Sequence, residues 1–587
     1  MVYTYEAAKR AALEAVRRIA GADVGLSLAT PPAGVPADLA IPCFPLAAAL
    51  HASPQEIAAR LARTVTLGPL LESAQASGGY LNLTFARGAF AAGVMGDVHR
   101  MGDRYGALDA GGGRTVVIDF SAPNVARQMS VGHLRSTIIG AALYELHKFA
   151  GYQPIGDNHL GDWGTQFGTR LYAYHAWLDR EAYAQDPIGE LLRLYVKFDA
   201  EARRDPSLRD QARQWHLRLE QGDPDARALW HEFVRHSLAA FQKIYDLLEV
   251  RFDHTLGESF YHPRLQSIVD ELMHKGIATV SEGARAILSD GSLVPRDDPF
   301  LIHKEGKWIP NPLIIQKNDG AFNYATTDLA TLAYRLATWD PDEIIYVTDG
   351  RQQLHFRQLF AAFRRWRPEA KVKLAHVWFG SILGEDGKPF KTRSGDTVRL
   401  NDLLDEAEER ALKIVSEKNP ELGEEQRRQI ARVVGLGAVK YADLLPNRQS
   451  DYVFSWSKML ALEGNTAPYL LYAYTRTRSL ARKARERGVT AAHDPQLTLS
   501  APEELALAKH LLNFGLVLEA VGDEFRPNFL CNYLYELAGL LSRFWEGCPV
   551  LKSSEPQRTS RLFLTELTGS VLRQGLEVLG IETTEQM

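Results

Sequence analysis

Cysteine is scarce in this chain: Cys43, Cys531 and Cys548 are the three in 587 residues. They lie far apart, without the paired spacing that a zinc site or a disulfide framework needs, and this fits a reducing compartment. Long apolar runs are missing too, and no uninterrupted run approaches the roughly 20 residues that cross a bilayer. The first residues, Met1-Val2-Tyr3-Thr4-Tyr5-Glu6, turn polar at once and lack the basic-then-apolar order of a secretory signal. These absences predict a cytoplasmic protein with no membrane partner. Charge of one sign is not in large excess either, the net charge being −5 and the pI about 6.4. Global charge therefore does not announce a polyanionic partner, although a local basic face is enough to hold a phosphate backbone. No repeat or low-complexity tract is present.

What is present is an ordinary globular composition, 45% hydrophobic and 24% charged. The chain is much longer than one core spans, so several domains are expected. Near the N-terminus Leu13, Val16 and Ala20 recur at helical spacing, and Gly21 is placed to end that helix. Gly79-Tyr80-Leu81-Asn82-Leu83-Thr84-Phe85 alternates as a half-buried strand does. Residues 1–110 thus read as an α+β domain that ends before the flexible Gly111-Gly112-Gly113. From Arg114 strands and helices alternate. Val116–Phe120 reads as a buried strand, about Gly132–Ala150 as a helix, Ile344–Val347 as a strand, Gln352–Trp366 as a helix and Val372–Trp378 as a strand. This order predicts an α/β domain over 111–400 with a Rossmann-type, doubly wound parallel sheet. It is interrupted by an insertion at about 180–320, helical first and then carrying short strands, with a hairpin signal at Asp290-Gly291. Residues 401–587 read as an all-α bundle.

The most informative string runs from Ser121 to Thr137, where the first strand of the sheet ends and a helix begins. Free N–H groups and the positive end of the helix dipole favour an anion there. Gly132 permits close approach of phosphates, and His133 and Arg127 can donate to charge that develops during displacement. Gly132-His133 alone equally fits an ordinary turn capped by glycine. Farther on, Tyr324 and Asp328 are four apart at a helix start, which puts both on one face; Asp328 also fits a plain N-terminal helix charge. In the last third Tyr469, Tyr472 and Tyr474 precede Arg476, Arg478, Arg482, Lys483, Arg485 and Arg487. Aromatics beside a basic run suit unpaired bases and their phosphates, and a core stripe with a solvated face is the competing reading.

Taken whole, Ser121-Ala122-Pro123-Asn124-Val125-Ala126-Arg127-Gln128-Met129-Ser130-Val131-Gly132-His133 resembles the signature region of class I aminoacyl-tRNA synthetases, in its arginyl form. So do Asn158-His159-Leu160-Gly161-Asp162-Trp163-Gly164-Thr165-Gln166-Phe167-Gly168, Gly257-Glu258-Ser259-Phe260-Tyr261, Asn318–Ala330, Tyr346–Phe356 and Gly464–Tyr474. The resemblance implies ATP-dependent activation of L-arginine and its transfer to the 3′ end of tRNA(Arg). It implies that Asp328 and Tyr324 hold the guanidinium with help from Asp119, and that Asn124 and Gln352 hold the α-ammonium end. It further implies that Gly132, His133, Asp349 and His355 face ATP. Gly387-Lys388-Pro389-Phe390-Lys391-Thr392-Arg393-Ser394-Gly395 stands where the family has its mobile clamp, so Lys391 and Arg393 are expected on the leaving pyrophosphate, with Lys388 beside them. Tyr469, Tyr472, Arg476, Arg478 and the terminal Met587 are expected to meet tRNA.

The chain departs from the pattern at Ser130, where the family carries histidine. It departs again at Arg127 and Asp119, where lysine and glutamate are usual. Serine donates a hydrogen bond but offers no cationic ring, which leaves open a non-catalytic tRNA-binding relative. Mg2+ is expected to accompany ATP without a dedicated metal site, and a monomer is expected. No editing domain is required, because a carboxylate site discriminates strongly against uncharged amino acids.

Overall fold

The structure is a computed structural model that describes residues 4–20, 26–29, 31, 35, 37–107, 109–388, 390, 398–490 and 498–587. The N-terminal part carries helices Thr4–Ala20, Pro54–Thr64 and Arg87–Met101 against an antiparallel sheet of Leu39–Pro42, Tyr80–Phe85 and Leu71–Ser77, in that order. Leu81, Leu83 and Phe85 alternate inward and are buried, as the period-two pattern requires. Helix Pro54–Thr64 starts where Ser53 and Glu56 exchange backbone hydrogen bonds (3.3 and 3.0 Å) and where proline occupies the first turn. Gly21 lies outside the described residues.

The central sheet is wholly parallel, in the order Lys373–His376, Glu343–Tyr346, Thr115–Asp119, Gln153–Asp157. Val116 and Ile118 point to the face covered by helix Val131–Phe149. Val117, Ile344 and Tyr346 point to the other face, where helices Leu265–His274, Tyr324–Trp339 and Gln353–Trp366 lie. Both faces are buried, which is why these strands read as continuous apolar runs. Each fully buried valine or isoleucine contributes about 1.5–3 kcal/mol relative to exposure. Because Thr115–Asp119 and Glu343–Tyr346 feed helices on opposite faces, a crevice opens where their C-terminal ends diverge. Register sets Asp119 beside both Asp157 and Tyr346 at that rim.

Helix Thr165–Trp177 leads into the insertion, which carries helices Arg180–Gln185, Pro187–Arg204, Ser207–Glu220 and Pro224–Leu247. Its short strands follow as Ala278–Ser281, Ala284–Ile287 and Leu313–Gln316 in one sheet, with a separate hairpin of Leu301–Lys304 and Lys307–Pro310. The hairpin turns are Glu282-Gly283 and Glu305-Gly306, not Asp290-Gly291. All four residues have positive φ (51°, 82°, 51°, 77°), the two-residue geometry that matches strand twist.

Among the described residues of the C-terminal third the one strand is Tyr452–Val453, which runs parallel to Ile382–Leu383, and the other regular elements are helices. Helices Leu400–Lys418 and Glu424–Leu444 share a core with the signature helix Val131–Phe149. Helices Ala467–Glu486, Pro502–Leu512, Phe514–Glu524, Asn528–Gly547 and Gln557–Val578 complete the bundle. The N-terminal part docks on it through the Lys509–Asp38 ion pair and the Tyr105 hydroxyl, which donates to Leu511 O at 3.1 Å.

Candidate active site

The turn between Asp119 and helix Val131–Phe149 is strained. Ser121, Ala122 and Ala126 have φ of 70°, 47° and 57°, where side chains are disfavoured. Such positions cost about 1–3 kcal/mol each and persist only when their surroundings over-determine them. Here they do. Ser121 N donates to Ser136 Oγ (2.9 Å), and Ser121 Oγ pairs with the Tyr245 hydroxyl (2.8 Å). Ala122 N donates to Asn158 Oδ1 (3.1 Å) and Ala126 N to Ser237 Oγ (2.8 Å). Side chains from two helices, Val131–Phe149 and Pro224–Leu247, and from the Asn158 loop thus hold the turn.

Ser130 is the N-cap of the signature helix, and its N–H donates to Nδ1 of His133 at 3.0 Å, with Ser130 Oγ 3.2 Å away. That bond makes Nδ1 an acceptor, so the neutral ring carries its proton on Nε2 and can donate it outward. Burial, with the charge of Arg127 nearby, pushes the His133 pKa below its ordinary value. A Cβ on Gly132 would meet nothing closer than Ser130 Oγ at 3.4 Å. The fold itself does not demand glycine there, which leaves close ligand approach as the reason for it. Gly161 differs. A Cβ there would strike Asn124 Oδ1 at 2.1 Å, so this glycine seats the Asn124 side chain.

Tyr324 opens helix Tyr324–Trp339, capped by Asn323, and Asp328 follows one turn later on the same side. His355 donates from Nε2 to Asp328 Oδ2 at 2.6 Å, and its ring meets that of Tyr324 edge-on at 4.7 Å. The structure thus groups His355 with the two residues expected to hold a guanidinium. Tyr324 borders a cavity of about 350 Å3, also lined by Glu258, Trp163, His262 and Thr327. Glu258 is pushed up to about 7, by burial first and by the carboxylates of Asp328 and Asp162 as well. Its place is fixed by Ser259, which donates N–H and hydroxyl to Asp162 at 2.8 and 2.6 Å. Glu258 was not among the residues singled out from sequence; the acid after Gly257 in a matching string was the available signal.

Asp119 is buried, and its Oδ2 accepts from Arg335 Nη2 at 2.6 Å, a guanidinium it shares with Asp157 (2.8 Å). Two carboxylates on one cation leave net negative charge at the rim, and burial raises the Asp119 pKa despite Arg335. Asp349 caps the short turn Gly350–Gln352 and is engaged by its neighbour Arg351 at 2.8 Å. Gln352 is exposed, three residues before His355.

Lys388 is exposed, while Lys391 and Arg393 lie outside the described residues. Both flanks of that segment are pinned. Phe390 N donates to Ile382 O at 3.1 Å, and beyond it Val131 N donates to Val398 O (3.1 Å) and Leu400 N to Met129 O (2.9 Å). The chain leaving the expected clamp is therefore tied directly to the signature turn.

On the distal bundle Tyr472 is exposed and Tyr469 is half-buried 5.7 Å from Tyr535. Arg476 lies over Tyr472 and Trp545 at 5.7 and 4.7 Å. Arg478 is already paired with Glu585 (3.0 Å), and Met587 packs half-buried against the core. Tyr535 and Trp545 come from helix Asn528–Gly547 and escaped the sequence reading, because nothing local marks them.

Residues 100–456 match the family described as tRNA synthetases class I (R), catalytic domain. Residues 470–587 match the DALR anticodon binding domain, and 5–85 match the arginyl tRNA synthetase N-terminal domain. The chain is 43% identical over 555 residues to an arginine–tRNA ligase of Synechococcus elongatus, covering 92% of each. It is 40% identical over 538 residues to that of Fusobacterium nucleatum, covering 91% of this chain and 90% of the relative. Its structure resembles the arginyl-tRNA synthetase of Plasmodium falciparum with a TM-score of 0.81 at 25% identity, over the full length of both. That of Thermus thermophilus gives 0.80 at 25% identity, over 98% of this chain and all of the other. A strained turn at the head of the signature helix, a cavity lined by a buried acid and a helical bundle with exposed aromatics thus coincide with matches to all three domains of one family, and the chain belongs to the arginyl-tRNA synthetases of class I.

Proposed function

We propose that the chain joins L-arginine to tRNA(Arg) with ATP, and that the cavity beside Tyr324 takes the side chain of arginine. Glu258 and Asp328 accept from the guanidinium, whose five donors suit paired carboxylates. Tyr324 borders it, and His355 keeps Asp328 in place. Asp119 acts from beneath through charge, since Arg335 holds one of its oxygens. Asn124 and Gln352 receive the α-ammonium group. The arginine carboxylate then attacks the α-phosphate of ATP. A carboxyl O–P bond forms, the bond to the β-phosphate breaks, and pyrophosphate leaves. His133 Nε2–H, Arg127 and the helix N-terminus at Gly132 stabilise the charge that develops there. Lys391 and Arg393 follow the departing pyrophosphate, with Lys388 at the edge of that path, while Asp349 lies toward the ribose. In the second step the terminal tRNA ribose hydroxyl attacks the acyl carbon and AMP leaves.

Mg2+ would arrive on the phosphate oxygens. Among the described residues no group of three or more His, Cys, Asp or Glu is placed to hold a metal, so the residues present supply no cage of their own. The distal aromatics Tyr469 and Tyr472 with Arg476 and the end of the chain at Met587 receive the anticodon stem-loop, while Arg478 serves that face chiefly by clasping Glu585. Domains of about 1–110, 111–400 and 401–587, a monomer and a cytoplasmic location complete the reading.

The observation that carries it is a buried Glu258 lining the cavity, with Asp328 close enough to raise its pKa, together with the His133-braced turn at Ser130. ATP–pyrophosphate exchange tests it. Exchange should require arginine and appear only with tRNA(Arg) present; support by a different amino acid would overturn the assignment.

A further inference from the structure

Behind the signature turn lies a cation that the mechanism above does not use. Arg170, on helix Thr165–Trp177, is fully buried. One of its nitrogens, Nη1, donates to Gln166 O at 3.1 Å, while Nε and Nη2 have no hydrogen-bond partner among the described residues. Among the described residues no carboxylate is an electrostatic neighbour of it. Its electrostatic neighbours are Arg127, of the same sign, and the Tyr195 ring on helix Pro187–Arg204. Burial and Arg127 push Arg170 down to about 10, so it still carries its proton at neutral pH. The guanidinium carbons of Arg127 and Arg170 lie 5.1 and 5.0 Å from the centroid of that one ring. The two cations are therefore within about 10 Å of each other.

Buried cations without acids are unfavourable for the fold, and two that repel each other are more so. The contacts with Tyr195 and Phe167 offset part of this. Such an arrangement is retained at functional sites, where a ligand completes the charge balance. The only side of the pair that reaches a ligand site is Arg127, half-buried in the signature turn and close enough to His133 to shift it. That turn offers Ser130 rather than an ionisable ring, so it has one cationic group fewer for phosphate.

We propose that Arg170 is a positioning residue for ATP: through the Tyr195 ring it props Arg127 toward the triphosphate and places a second, uncompensated positive charge behind it. This rests on the assignment of Arg127 to the phosphates. A phosphate charge held about 10 Å from Arg170, at an effective dielectric constant of about 20, would be attracted by roughly an order of magnitude in affinity, and less at greater distance.

The test compares Arg170→Met, Arg170→Lys and Arg127→Met in the full chain, by thermal melting and by tRNA-dependent exchange. Arg170→Met should raise the melting temperature, raise KM for ATP roughly tenfold and leave KM for arginine unchanged. Arg170→Lys, which keeps the charge, should restore most of the ATP dependence. Lower stability with unchanged KM for ATP would make Arg170 a purely structural residue and overturn the proposal, as would equal changes in both KM values. Should Arg170→Met not fold, Tyr195→Leu must raise KM for ATP alone. An Arg127→Met variant with normal KM for ATP would instead overturn the assignment of Arg127, and so separates the two failures.

Discussion

At the end of the cleft near Tyr324 the charges are acids, Glu258 and Asp328, with the Asp119–Arg335–Asp157 cluster carrying net negative charge behind them. At the end near Gly132 they are cations, Arg127 and Arg170, with a helix N-terminus, and among the described residues the electrostatic neighbours of Arg170 are Arg127 and Tyr195. One end is thus richer in acids and the other in cations, although Arg335 and His355 engage the acids and Lys317 also lines the cavity. The lesson lies in Glu258 and Arg170. One is an acid held near neutrality by burial and like charges, the other a cation buried against a cation. Neither is a good choice for stability, and both make sense when a ligand of opposite charge arrives.

The contrast can be broken from the acidic end first. Asp328→Asn removes a charge hydrogen-bonded to His355 and should raise KM for arginine by about a hundredfold, the order expected for losing a paired, desolvated charge. KM for ATP should hardly change, and steady-state exchange kinetics in both substrates read this directly. Glu258→Gln should raise KM for arginine about tenfold, with a pH signature. In the free enzyme the Glu258 pKa lies above its unfolded value, so protonation favours the fold, and this stabilisation is lost as pH rises through about 7. A guanidinium favours the ionised carboxylate. KM for arginine should therefore fall as pH rises through about 7 in the parent enzyme, and lose that step in Glu258→Gln.

Sharpening the basic end takes subtler changes. Ser130→His puts a ring where the cap now sits. The side chain gives up its Oγ contact with His133 Nδ1, so stability should change by less than about 1 kcal/mol while exchange activity stays within roughly threefold, or rises if the ring donates to phosphate. Far from both ends, Tyr472→Ala should weaken tRNA by about 1–3 kcal/mol, the worth of one stacked base, and leave arginine and ATP kinetics at saturating tRNA unaltered.

Much of the cleft was legible because its parts are local. The strand expected at Val116–Phe120 is observed at Thr115–Asp119, and the helix expected from about Gly132 begins at Val131, because Ser130 caps it. Tyr324 and Asp328 share a helix face, as a four-residue spacing dictates. Other features depend on distant chain. Glu258 joins Asp328 across the insertion, and Tyr195 meets Arg127 and Arg170 from a different helix. The hairpin turns fell to Glu282 and Glu305 at positive φ. Strand twist sets that geometry, and glutamate does not announce it.

The central claim is that the two ends recognise different substrates by opposite charge. Measuring KM for arginine and for ATP in Asp328→Asn and Arg127→Met under one exchange assay tests it most directly. The account predicts a crossed result, in which Asp328→Asn moves arginine alone and Arg127→Met moves ATP alone. Comparable losses for both substrates in both variants would contradict it.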